Sequence, residues 1–440
     1  METGHDPARA GGTSCTVGAP AREQKGTNLD SFVTPLARAS RKTDRIHDPR
    51  LVFAILAVLA VLGGVAAARI LTLLDLYSHH EHLLRVFFIA LFFSTILTGL
   101  TTLILRWLDR RDPLPWQLYA SLLAWGAILS TGLALPANQR ILRDVDRWVE
   151  KNDLIPYAGE NRGFLLGAPI AGPLVEETLK GVGLLLVFFL FRSFFRSPRD
   201  GFIMGALVGA GFNWFESALY VANDYAEWGV HTYGTELGGR YGLFGFAGHA
   251  LFTGLTGLGL GYAAVSKTRV RAVAWALLGY FLAVTAHLVN NGLGVAVVVI
   301  LHTMGKPIPD LSAPTEENPF LSSWMSASLR SFFMFLPSVL LILYTLVRTG
   351  RWEEKTIQTE LAGEPDTVIS EKERARLARE THWRMRRYPW ESRRHSRSIV
   401  AEQNRLAFLK YQVEQEGGDV QTDPEIVAQR ARIERIRASS

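Results

Sequence analysis

The chain is 440 residues long, 48% hydrophobic and 20% charged, with a formal net charge of +6 and a single cysteine. A mean hydropathy of +0.12 is too apolar for one water-soluble globule of this length. Cys15 has no partner in the chain, which excludes a disulfide framework and a cysteine-built zinc site, so any metal must be held by His, Asp or Glu.

Residues 1–50 are polar and rich in Gly, Thr and Ala, and read as a disordered N-terminal tail. They lack a signal peptide, because the first long apolar run begins only at Leu51. From 51 to 347 the chain is a transmembrane domain with eight stretches of helical length for a bilayer, near 51–69, 85–105, 115–135, 164–190, 201–222, 242–265, 272–300 and 331–347. The runs are unbroken and do not alternate, which favours helices over barrel strands. The expected fold is an all-α polytopic transmembrane helix bundle.

Basic residues in the short connections set the orientation. Arg38 to Arg50, Arg106 to Arg111, Arg192 to Arg199 and Lys267 to Arg271 fall on one side, so both tails are expected to be cytoplasmic, with the protein integral to the plasma membrane. The basic excess is thereby read as a topology signal and not as a nucleic-acid surface. Residues 348–440 form a charged C-terminal tail, helical on either side of a break at Pro389, with Trp383, Tyr388, Trp390, Phe408 and Tyr411 among many arginines. A solvated, loosely ordered tail is favoured over a membrane-surface or partner-binding helix.

Ionisable groups inside spans cost at least ~2.5–3.5 kcal/mol each and ask for a partner or a function. The fourth span carries Glu176, Glu177 and Lys180, the fifth Asn213 and Glu216, the sixth His249, and the seventh His287 with Asn290 and Asn291. Glu176 and Lys180 are four apart and share a helical face, as do His287 and Asn291, while Glu177 points about 100° away from Glu176. At ~1.5 Å per residue, Glu177 and His287 lie near mid-depth and Glu216 and His249 about 10 Å from the outer ends of their helices. Two His and a carboxylate make a catalytic zinc set with one position left for water, and a nearby Glu can act as its base.

Each residue has a plainer reading. Glu176 with Lys180 can be a buried ion pair holding register, Glu216 a proton-relay carboxylate, either His a hydrogen-bonded core residue, and Asn213 and Asn291 interhelical hydrogen bonders. Those readings leave the shared depth unexplained. The cluster His79, His80 and His82 around Glu81 lies in a short connection and forms no fixed site. No HExxH helix, no Gly-x-Ser nucleophile and no pair of embedded Asp occurs in the spans, which argues against serine and aspartyl chemistry.

In order along the chain, Glu176-Glu177-Thr178-Leu179-Lys180, Phe212-Asn213-Trp214-Phe215-Glu216, Gly248-His249-Ala250-Leu251-Phe252-Thr253 and His287-Leu288-Val289-Asn290-Asn291 resemble the motifs of the PrsW family of intramembrane metalloproteases. Asp112-Pro113, Pro173, Arg199-Asp200-Gly201 and Arg240 agree with it. The likeness covers about 105–300, and the family is similar in turn to the prenyl-CAAX-type protease superfamily.

The resemblance implies metal-dependent hydrolysis of peptide bonds in a membrane-anchored protein substrate, such as a regulatory protein, within the lipid bilayer. It implies His249 and His287 as zinc ligands with Glu216 as the third and Glu176 as the competing candidate. Glu177 is then the base, Lys180 balances charge, and Asn291 stabilises the oxyanion or orients His287. The rival class is a transporter or ion or proton pathway using the same groups, although no internal repeat is visible. The motifs name neither the substrate nor the oligomeric state.

Overall fold

The computed structural model describes residues 49–78, 81–153, 162–306, 319–381, 384–415 and 417–439. The expected N-terminal tail up to residue 48, with Cys15, and also His79, His80 and Trp383, lie outside them. Regular structure is all-helical, and among the described residues the only bridge pairs Thr381 with Arg384.

Helix α1 spans Pro49–Ser78 and α2 Glu81–Leu108. A continuous helical stretch follows as α3 (Trp116–Ala124), one π-helical segment (Trp125–Ser130) and α4 (Thr131–Lys151). Next come α5 (Arg162–Leu190), α6 (Pro198–Trp228), α7 (His231–Tyr241), α8 (Gly248–Ala264), α9 (Arg269–Thr303), α10 (Pro319–Met334) and α11 (Leu336–Ala362).

Four of these stretches are long and apolar enough to cross a membrane: His82–Leu108, Trp116–Lys151, Pro198–Trp228 and Arg269–Thr303. The pair α10 and α11, bent by 66°, would make a fifth. Helix α5, with three ionisable residues at its centre, and α8, at 17 residues, are outside that set. Phe92, Leu103 and Phe189 are 63%, 66% and 72% exposed on the outside of the bundle, a surface suited to lipid and not to water.

The third expected span stops at residue 135, before Pro136, yet the helix continues through Pro136 to Lys151. A proline removes one backbone donor, but here α4 packs against α1 and α5, and that packing outweighs the local cost. The stretches between the expected spans at 136–163 and 223–241 are therefore helical over much of their described length.

Helix α6 is the hub. The apolar stretch of α6 is 94% buried within the protein, against 22% for α2 and for α9. Ser197 and Asp200 close a capping box at its start, with Pro198 in the first turn. Its Gly201, Gly205 and Gly209 recur every fourth residue and face α8, where a Cβ would stand 2.2 Å from Gly257 O, 2.3 Å from Thr253 O and 2.0 Å from His249 O. Hydrophobic burial does not draw helices together in lipid, so close backbone approach at small residues has to. Gly259 and Gly279 bring α8 and α9 together in the same way.

The C-terminal segment is folded, in contrast to the expected solvated tail. Helices α12 (Glu371–Leu377), α13 (Arg393–Gln415) and α14 (Pro424–Ala438) pack with the end of α11 around Ile357, Leu361, Ile369, Leu406, Val413, Ile426 and Ile433. The break at Pro389 widens to an irregular stretch between α12 and α13. A chain of buried charges ties this unit to the membrane helices. Arg199 at the start of α6 pairs with Glu353 at 2.5 Å, Arg111 lies 3.9 Å from Glu353 and 3.5 Å from Glu380, and Glu380 holds Arg386 at 2.5 Å.

Candidate metal centre

Six helices converge on one polar cluster. Glu176, Glu177 and Lys180 come from α5, Glu216 from α6, Arg240 from α7, His249 from α8, His287 from α9 and Asn138 from α4. Apart from Arg240 and Asn138, these side chains are all buried, Glu177 and Lys180 completely.

Gly248, with φ of +54°, turns the chain into α8 and puts His249 in its first turn. Asn213 behaves as the interhelical hydrogen bonder read from sequence. Its Nδ2 donates to the carbonyls of Arg240 at 3.0 Å and Ala247 at 3.2 Å, and its Oδ1 accepts from the His249 backbone N–H at 3.1 Å. This fastens the start of α8 to α6. The two imidazoles then meet edge to face with ring centres 4.7 Å apart, His287 stacked on Phe252 and His249 against Phe212.

The carboxylates divide between the two edges of these rings. Glu177 Oε1 lies 3.2 Å from His287 Nδ1 and 3.7 Å from His249 Nδ1, accepts from Lys180 Nζ at 2.6 Å, and its Oε2 accepts from Thr253 Oγ1 at 3.0 Å. Glu176 and Glu216 lie at the Nε2 edge. Glu176 Oε2 is 3.8 Å from His287 Nε2 and 4.0 Å from His249 Nε2, while Glu216 Oε2 is 2.6 Å from His249 Nε2.

Among the described residues, Glu176, His249 and His287 form the group whose ligand atoms all lie within 4.8 Å of one another. Glu216, expected as the third ligand, is outside that group and is held by Arg240 Nε at 3.1 Å. Glu177, expected as the base, sits behind the rings with both oxygens engaged. The residues suit a divalent cation on two counts. Glu176 Oε2 is buried with no hydrogen-bond partner and faces both Nε2 atoms, an arrangement that is costly unless something else occupies the acceptor. In addition, with neutral imidazoles, the four carboxylates of Glu176, Glu177, Glu216 and Glu236 face only two cations, Lys180 and Arg240. The excess of two negative charges matches one divalent ion.

Asn291 is half-buried, and its Oδ1 accepts from Asn290 Nδ2 at 3.0 Å and not from His287. It borders the centre all the same. A Cβ on Gly172 would be 3.4 Å from Glu176 Oε1 and 3.5 Å from Asn291 Nδ2, so the missing side chain keeps the space between the two open. His82 is exposed at the start of α2. Two contributors were not singled out in the sequence, Asn138 and Thr253. Thr253 falls inside a motif segment, whereas Asn138 stands alone in a stretch read as a connection.

These observations define a helical membrane protein with a buried Glu/His/His centre. Residues 114–306 match the family model described as PrsW family intramembrane metalloprotease. The matched segment runs from the loop before α3 to the end of α9 and contains every residue of the centre; the match indicates a protease, and the metalloprotease family implies a metal. No curated protein and no solved structure matches the chain.

Proposed function

We propose that the protein is a zinc-dependent intramembrane protease that hydrolyses peptide bonds of membrane-anchored protein substrates. The observation that carries this reading is the convergence of a partnerless buried carboxylate oxygen, Glu176 Oε2, with two imidazoles inside a PrsW-family domain. His249, His287 and Glu176 hold the ion, with Glu176 taking the place first expected of Glu216. When bound, zinc supplies a water acidified to near neutral pKa and a Lewis acid for the scissile carbonyl.

The protein's own groups do the rest. Glu177, on the Nδ1 edge, accepts from His287 and so fixes which ring nitrogen faces the centre, as carboxylates behind metal-bound imidazoles do. Lys180 compensates Glu177 and lies 2.8 Å from His249 Nδ1. Glu216, on the Nε2 edge, is the carboxylate positioned to take the proton of the attacking water and return it to the leaving amine. Arg240 holds Glu216 in place through an ion pair at 3.1 Å. Asn291, across the Gly172 gap, donates to the developing oxyanion.

The bundle crosses the plasma membrane about eight times, with α1, and with α5 and α8 around their polar residues, completing the spans and both tails on the cytoplasmic side. The distribution of Lys and Arg supports this orientation. The test is elemental analysis of protein purified in detergent without chelator, wild type beside the His249→Ala, His287→Ala double variant. About one zinc per chain in the wild type and none in the folded double variant is the expected result. A folded wild type without stoichiometric metal overturns the reading.

A further inference from the structure

Asn138 lies on α4, two residues beyond Pro136, and donates from Nδ2 to Glu176 Oε1 at 3.0 Å. A carboxylate only accepts hydrogen bonds, so the amide must turn its nitrogen and not its oxygen toward Glu176. Asn138 Oδ1 is accordingly left buried without a partner.

The consequence falls on the other carboxylate oxygen. Among the described residues the bond from Asn138 is the only hydrogen bond to Glu176, and Lys180 Nζ stands off at 3.8 Å from Oε2. Fixing Oε1 therefore fixes the rotation of the whole group and leaves Oε2 facing His249 Nε2 and His287 Nε2. Without the donor, Lys180 on the same helix would compete for the carboxylate and turn it away from the imidazoles.

The geometry points to Asn138 as the positioning residue of the metal centre: its amide holds the Glu176 carboxylate in the orientation that presents Oε2 to a divalent cation. This rests on the proposed reading of Glu176, His249 and His287 as ligands. Groups that orient metal ligands typically control affinity by about 10–100-fold.

The test is a zinc titration against a competing fluorescent chelator, on full-length protein stripped of metal in detergent. The set is wild type, Asn138→Leu, Asn138→Gln, Glu176→Ala and the Asn138→Leu, Glu176→Ala double variant, with thermal unfolding of each metal-free protein measured alongside. Asn138→Leu is expected to weaken zinc binding by about 10–100-fold without lowering metal-free stability in proportion. Asn138→Gln, which keeps an amide donor, should recover part of the loss. In the Glu176→Ala background Asn138→Leu should cost nothing more, because it acts through that carboxylate. If Asn138→Leu does not fold, Asn138→Ser is read in its place. Wild-type affinity in the Asn138 variant, or an equal loss with and without Glu176, overturns the inference while leaving the metal centre standing. No zinc binding by the wild type overturns the metal reading itself.

Discussion

Lys180 Nζ lies 2.6 Å from Glu177 Oε1, and both side chains are completely shielded from solvent. Removing one partner strands the other as a bare buried charge, while removing both removes the problem. Lys180→Met is expected to destabilise the protein by about 3–5 kcal/mol, and the Glu177→Gln, Lys180→Met double variant to regain much of it. Thermal unfolding in detergent measures both. Equal stability of the single variant and the wild type would show that the pair carries no such tension.

A Cβ at Gly209 would come within 2.0 Å of His249 O. Gly209→Ala must push α8 away from α6, at about 1–3 kcal/mol for overpacking, and carry His249 with it. Zinc affinity should fall along with the unfolding temperature. Gly99 has nothing within 4 Å of its Cβ position, so Gly99→Ala is the matched control, and no loss is expected there.

Arg111 Nη2 donates to Thr381 O at 2.8 Å, and its own carbonyl accepts from Asn404 Nδ2 at 3.1 Å. Glu353 and Glu380 keep Arg199 and Arg386 when Arg111 is lost, so Arg111→Met should cost about 1–3 kcal/mol, the scale of unsatisfied buried groups. Limited trypsin digestion should cut the segment after residue 348 faster in the variant. Because the contact is buried, raising the salt concentration should not reproduce the effect in the wild type.

Asp109, just beyond α2, is buried and accepts from the Leu114 backbone N–H at 2.7 Å and the Tyr119 hydroxyl at 2.9 Å. Burial, with Asp200 nearby, pushes its carboxyl up to about 7, although the bonds from Leu114 and Tyr119 and the charge of Arg199 oppose this. The folded state thus binds the proton more tightly than the unfolded chain. Its stabilising contribution is complete below the unfolded value near 4 and is lost as pH rises through about 7. Relative to Asp109→Asn, the wild type should lose stability between pH 5 and pH 8. A difference in unfolding temperature that stays constant across that range would contradict the shift.

The helices that build the centre were legible because ionisable residues are rare in apolar runs and helical spacing sorts them by face. Glu176 and Glu177 fall on different faces of α5 by sequence spacing alone, and their different partners follow from it. Which face meets which edge of the imidazoles was not legible, since it depends on the rotation of α5 against α8 and α9. Asn138 was hidden for a related reason. Pro136 reads as a helix end, and only the packing of α4 on α1 and α5 carries the helix past it to Glu176.

The C-terminal segment gives the same lesson from the other side. Its many charges suit a solvated tail when each is counted alone, but Arg111 and Glu380 neutralise each other across 269 positions of chain, a pairing that composition does not encode. Sequence by itself determined the apolar middle, the helical class and the identities of the polar groups that must be compensated in it, because transfer cost and helical period are local properties. Tertiary structure alone decided that Glu176 Oε2 lies within reach of both histidines while Glu216 reaches only His249, that Asn138 donates to Glu176, and that the C-terminal helices pack on the end of α11. Those outcomes depend on distances between helices, and the glycine contacts of α6, α8 and α9 set them.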